Sequence, residues 1–164
     1  MRISGRADPT IGRPVLQMVS YPIANLRHAE NLYKREKAQA SEPQCAPQYG
    51  IARLDDTLSN IGHLYDVRDT LCVVEPGVCA RPSMLNGSAI FFCNEVDHRI
   101  STPCENLIPA AALLADKCSL GNHYTFGYIF NTTDEPQGYP YIVAVGDESV
   151  FKPKLLGNSR SATA

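Results

Sequence analysis

Six cysteines, Cys45, Cys72, Cys79, Cys93, Cys104 and Cys118, all fall within the middle of a 164-residue chain, with none before residue 45 or after residue 118. An even set confined to one stretch reads as a disulfide framework. A structural zinc site needs close ligand pairs such as Cys-x2-Cys, and the tightest spacing here runs from Cys72 to Cys79. Disulfides are therefore expected in preference to a metal site or to reduced structural thiols. Six cysteines pair in many ways, and spacing alone does not choose among them.

The framework divides the chain. Residues 45–152 are expected to form a single disulfide-stapled α+β domain. Residues 1–44 are read as a flexible N-terminal segment or pro-segment, and residues 153–164 as a flexible tail. Lys34-Arg35 is a dibasic pair of the kind secretory convertases cut, so removal of residues 1–35 is a further expectation. A short helix over 24–37 is predicted from Leu26, Ala29, Leu32 and Tyr33. Two sequons, Asn86-Gly87-Ser88 and Asn131-Thr132-Thr133, make Asn86 and Asn131 candidate glycosylation sites. Disulfides and sequons point to a secreted, extracellular protein, although the first residues lack the continuous apolar core of a signal peptide.

Local patterns supply the elements. Tyr49–Leu54, Gly62–Val67 and Thr70–Val74 are predicted as short strands, the last closing at the turn Glu75-Pro76-Gly77. Pro82 and Asn86-Gly87 are read as loop. Ser88–Asn94 is nearly all apolar and rich in phenylalanine and isoleucine, which places it centrally in a sheet. Leu107, Ile108, Ala111, Leu114, Ala115 and Cys118 recur at three- and four-residue steps, predicting one principal helix over about 106–118. Asn106 as its N-cap would put Pro109 in the first turn, where the missing N–H has no intrahelical partner anyway. His123–Asn131 and Gly138–Gly146 read as two further strands, with Pro140 at a strand start or on an edge. The fold class expected is α+β, a largely antiparallel sheet packed by that helix. A Cys93–Cys118 disulfide would lock helix to sheet and is the pairing expected.

Chemistry is sparse. No phosphate loop, nucleophile elbow, zincin helix or dinucleotide fingerprint is present, and no cofactor or metal site is expected. A net charge of −2 gives no basic field for nucleic acid, and no apolar run is long enough to span a bilayer. Of the four histidines, His98 has the most suggestive neighbours, Glu95, Asp97 and Arg99. A histidine with a carboxylate and an arginine suits acid–base cleavage of a phosphodiester. Asp55-Asp56, with Asp66 and Asp69, lacks calcium-loop spacing.

Over residues 79–145 the chain resembles small cysteine-rich secreted proteins of filamentous fungi. The likeness rests on Cys79-x-Arg81-x-Ser83, on Ser88-Ala89-Ile90-Phe91-Phe92-Cys93-Asn94, and on an apolar helix ending in Asp116-Lys117-Cys118. It continues in an aromatic strand from Phe126-Gly127 and in Tyr141-Ile142-Val143-Ala144-Val145. The chain departs from that pattern where Met84 stands near an expected cysteine, and in having no tryptophan. The resemblance implies a non-enzymatic effector-like or toxin-like glycoprotein, connected with virulence, that recognises a host or extracellular macromolecule. It supplies no catalytic residue. The alternative expectation is a small extracellular ribonuclease-like hydrolase using His98 with Glu95 and Arg99.

Overall fold

The structure is a computed structural model in which residues 12–26, 42–133 and 138–151 are described. Five strands form the main sheet in the order β1-β4-β5-β10-β9, with every neighbouring pair antiparallel. They are β1 (Val19–Pro22), β4 (Val78–Leu85), β5 (Ser88–Asn94), β9 (Gly127–Thr132) and β10 (Pro140–Asp147). Two smaller sheets flank it. One has β2 (Ala52–Arg53), β8 (Tyr124–Thr125) and β7 (Ser119–Leu120), with β8 in the middle; the other pairs β3 (Leu71–Val74) with β6 (Ile100–Pro103). Among the described residues there are two α-helices, α1 (Leu54–Asp66) and α2 (Ile108–Lys117). The α+β class and the disulfide framework expected from the sequence are both present.

β5 sits at the centre with all seven residues buried, as its unbroken apolar run requires. Its side chains alternate between two cores. Ile90 and Phe92 join Tyr141, Val143 and Val145 of β10 in an aliphatic-rich cluster beneath α1 and α2. Ala89, Phe91 and Cys93 join Ile142, Ala144, Tyr128 and Phe130 in a second cluster, covered by Tyr21, Tyr49 and Phe151.

Several local readings are corrected. The loop expected at Pro82 is strand: β4 runs through it, and the register with β5 shifts between Ala80 and Ser83. A bulge tolerates a residue with no N–H to offer the ladder. Asn86-Gly87 is then a two-residue hairpin turn, both residues at positive φ, +54° and +86°. The strand predicted over 62–67 is instead the end of α1. That helix was hidden because its buried face is Asp56, Thr57, Asn60 and Leu64, three of them polar. Thr57 Oγ1 donates to Arg53 O (2.9 Å) and Asn60 Nδ2 to Ser88 O (2.9 Å), so polar side chains are satisfied where aliphatic ones were sought. The predicted principal helix starts at Ile108, after a 3-10 turn over Cys104–Leu107, and Asn106 does not cap it. Asn106 Nδ2 donates to Thr102 Oγ1 instead. The strand predicted over 123–131 is divided at Phe126 between β8 and β9, and Pro140 opens β10 as expected.

The sheet also begins earlier in the chain than the expected boundary at residue 45. β1 pairs with β4, Leu16 N donates to Leu71 O, and Leu26 is buried in the aromatic cluster. The helix predicted over 24–37 shows only a 3-10 turn, Ile23–Asn25, within the described residues. Lys34, Arg35 and the tail from residue 153 lie outside them.

All six cysteines pair, as Cys45–Cys118, Cys72–Cys104 and Cys79–Cys93. The expected Cys93–Cys118 bond is therefore overturned. Cys93 faces the aromatic cluster directly opposite Cys79 in the β4–β5 ladder, whereas Cys118 belongs to the helix-covered cluster. A sheet one backbone thick separates them. The bonds span 73, 32 and 14 residues. On the chain-entropy account these loops contribute about 4.4, 3.7 and 3.0 kcal/mol respectively.

Candidate recognition surface

The three residues of the predicted acid–base group, Glu95, His98 and Arg99, all lie between β5 and β6. His98 lies in the turn after β5, where its Nδ1 hydrogen-bonds Asp97 Oδ1 at 3.2 Å and its ring packs edge-on against Tyr139. Arg99 Nε is engaged by Glu75 Oε2 at 3.0 Å, across the neighbouring turn. The turn itself is anchored by Asn94, whose Nδ2 donates to His98 O and to Val74 O. His98 thus engages Asp97, and Arg99 engages Glu75. His123 sits exposed before β8, and Asp55 and Asp56 lie in the first turn of α1 near Arg53. Among the described residues no group of three or more His, Cys, Asp or Glu side chains is placed to hold a metal ion.

Two polar clusters went unnoticed in the sequence because their members are far apart in it. In the first, His63 on α1 faces Ser83 on β4, with Nδ1 and Oγ 3.2 Å apart. Ser83 Oγ donates to Asn60 Oδ1 at 2.8 Å, and Asn60 Nδ2 donates to Ser88 O. The amide therefore fixes the direction of the chain: its oxygen must accept, so the serine proton points away from the imidazole and Nδ1–H donates to Oγ. A serine nucleophile requires the reverse. The cluster is a bridge from α1 to β4. In the second, Arg81 Nη1 meets Glu148 Oε1 at 2.5 Å and Tyr21 OH at 2.8 Å, while Tyr21 OH donates to Glu148 at 3.1 Å. Burial raises the Tyr21 phenol above its ordinary range, Arg81 opposes the rise and Glu148 adds to it. This triangle fastens β1 and the Glu148–Phe151 turn to β4.

Exposed apolar side chains gather around the small sheet and α1. In the small sheet, Leu120, Tyr124 and Arg53 stand opposite one another in a single row, while Ala52 and Thr125 of the adjacent row are buried. Alternation puts Ile51 on the same side as Arg53. α1 begins at the next residue, and its Leu54 N–H donates to His123 O at 2.8 Å, tying the helix start to the loop that leads into β8. Leu58 and Tyr65, two turns apart on α1, continue the apolar side chains along the helix. Leu58, Tyr65 and Leu120 are each more than half exposed, at 54%, 57% and 57%, with Ile51 and Tyr124 at 48% and 43%. Single exposed hydrophobics are ordinary, whereas here five are carried by elements that adjoin one another. Arg68 stacks over the Tyr65 ring, its guanidinium 4.4 Å from the ring centre.

The modification sites are placed as follows. Asn86 is exposed at the tip of the β4–β5 hairpin. Asn131 lies half-buried on β9, and Thr133 of its sequon is buried, its Oγ1 accepting from Tyr139 N. No helix among the described residues is long and apolar enough to cross a membrane. Comparison with family profiles, with curated proteins and with solved structures gives no match.

Proposed function

We propose that this protein is a secreted, non-enzymatic recognition module that binds an extracellular or host protein through the face formed by β2, β8, β7 and α1. The observation behind this reading is the run of exposed apolar and aromatic side chains, Ile51, Tyr124, Leu120, Leu58 and Tyr65, bordered by Arg53 and Arg68. Tyrosine and arginine are the residues from which binding hot spots are most often built. The scaffold beneath them is rigid: three disulfides and a sheet covered on both faces hold these elements. Disulfides of this density belong to an oxidising compartment, and a glycan on Asn86 would project from a hairpin tip without meeting the core.

The test uses paired variants. Tyr124→Ser with Leu58→Ser should leave the melting temperature within a few degrees while weakening binding to a partner captured by a photo-crosslinker at position 124 by at least tenfold. Crosslinkers at Val15 and Val19, exposed on the N-terminal stretch that pairs with β3 and β4, serve as the control surface. Equal binding by the double variant would overturn the reading. RNA cleavage by the wild-type protein that disappears in His98→Ala would replace it with the hydrolytic one.

A further inference from the structure

We propose that the Cys45–Cys118 disulfide is a redox latch that controls access to the free edge of the main sheet. The three disulfides differ in exposure. Cys72, Cys104, Cys79 and Cys93 are wholly buried, and Cys118 is 2% exposed, but Cys45 lies open to solvent. A thiol must reach a sulfur to exchange with it, so accessibility selects this bond. An external thiolate of the glutathione type attacks Cys45 Sγ, forming a mixed disulfide and expelling Cys118 as thiolate. A second thiolate attacks the external sulfur, releasing the Cys45 thiolate and leaving the two external thiols joined as a disulfide. Two electrons pass from that pair to the protein bond, and both cysteines take up protons.

What the bond restrains follows from its neighbour. Gln44 lies along the outer edge of β9 and exchanges two backbone hydrogen bonds with Tyr128, Gln44 N to Tyr128 O at 2.8 Å and Tyr128 N to Gln44 O at 3.0 Å. β9 is the terminal strand of the five. The latch and the cover meet at Gly127, where an added Cβ would lie 2.6 Å from Gln44 O and 3.3 Å from Cys118 Sγ. Among the described residues, two backbone hydrogen bonds to Tyr128 and the disulfide to Cys118 tie this short cover to the domain. Farther along, Tyr49 is buried in the aromatic cluster and remains anchored. Opening the latch therefore frees Gln44 and Cys45 without unfolding the domain, and exposes the N–H and C=O of Tyr128. Unpaired groups on a sheet edge are what extended segments of other chains pair with.

The experiment treats the native, oxidised protein with increasing reduced glutathione, quenches by alkylation, and maps the labelled cysteines while following amide exchange. Cys45 and Cys118 should be labelled at least tenfold faster than the other four. The Tyr128 amide should then exchange at least tenfold faster, with the Val143 amide in the sheet interior unchanged and the near-ultraviolet dichroism retained. Combining Cys45→Ser and Cys118→Ser should give the open behaviour without reductant. Release of all six cysteines together, loss of the fold with the first reduction, or an unchanged Tyr128 amide in latch-open protein would each overturn the proposal. Where the double variant does not accumulate, the glutathione series decides.

Discussion

The two faces of the central sheet are covered by different means. On one, α1, α2 and the 3-10 turn before α2 lay Leu64, Ala111, Leu114 and Leu107 over Ile90, Phe92, Val143 and Val145. On the other, no α-helix among the described residues contributes: the cover is three aromatic rings from remote stretches, Tyr21, Tyr49 and Phe151, set against Phe91 and Tyr128. Tyr21 and Phe151 stack with centroids 5.0 Å apart, Phe91 meets Phe151 edge-on at 5.0 Å, and Tyr49 meets Tyr128 edge-on at 5.8 Å. The helical cover spreads its contacts over a continuous stripe. The aromatic cover concentrates them in single residues, each with a large buried area and each the anchor of its own strand or turn. A face built that way is more sensitive to any one truncation.

The largest effect should therefore come from Tyr49→Ala. Tyr49 is fully buried, and its backbone seats so closely on Gly146 that an added Cβ there would lie 1.9 Å from Tyr49 O. Loss of an aromatic ring from such a site costs about 3–5 kcal/mol. Chemical denaturation should show that loss together with faster exchange across residues 44–50. Leu114→Ala, in the helical stripe, should cost less, about 2–4 kcal/mol, with exchange rising throughout the domain and not in one strap. If the two variants lose equal stability with the same exchange pattern, the two covers do not differ as argued.

The same contrast explains what was legible in the sequence. The helical face has a period: Leu107, Ala111, Leu114 and Cys118 announce α2, and the apolar run at Ser88–Asn94 announces the strand beneath it. The aromatic face has no period, because Tyr21, Tyr49 and Phe151 come from three separate stretches and become a layer only when the chain folds. α1 failed for a related reason, since hydrogen-bonded Thr57 and Asn60 take the place of hydrophobic residues on its buried side. The disulfide pairing was missed because it depends on which side of the sheet each cysteine faces. The exposed surface was missed too: Leu58 and Tyr65 are seven residues apart, but their neighbours Tyr124 and Leu120 arrive from the far side of the sequence.

A smaller effect should attend Arg81→Met, which leaves Glu148 with its charge and without its closest cation. The two side chains are 18% and 16% exposed, so solvent screens the loss only in part. About 1–3 kcal/mol is expected for a group stripped of a charged partner in such a setting. The loss should be largely recovered by adding Glu148→Gln, because a half-buried carboxylate stripped of Arg81, more than the missing attraction, is what costs. A double-mutant cycle read by urea midpoints checks this. Strict additivity of the two changes would show that the triangle is incidental to how the aromatic face is held.

Tyr21→Phe is the mildest change and the one that separates ring from hydroxyl. The ring keeps its stacking on Phe151, while the hydrogen bonds to Glu148 and from Arg81 are lost, about 1 kcal/mol at neutral pH. Burial raises the phenol above its ordinary value of 10.0. The folded state thus holds this proton more tightly than the unfolded chain, and a group of that kind contributes its stability fully below the unfolded pKa. Above about pH 10 the unfolded chain releases the proton first, and the contribution falls as pH climbs toward the folded value. The phenylalanine variant has no such group to titrate. Its deficit against the wild type should accordingly be constant from pH 7 to 9 and shrink as pH rises beyond 10, because every other ionisable group is common to both proteins. A deficit that stays level or widens above pH 10 would mean that the phenol is not withdrawn from water in the folded state, and that the aromatic cover rests on ring packing alone.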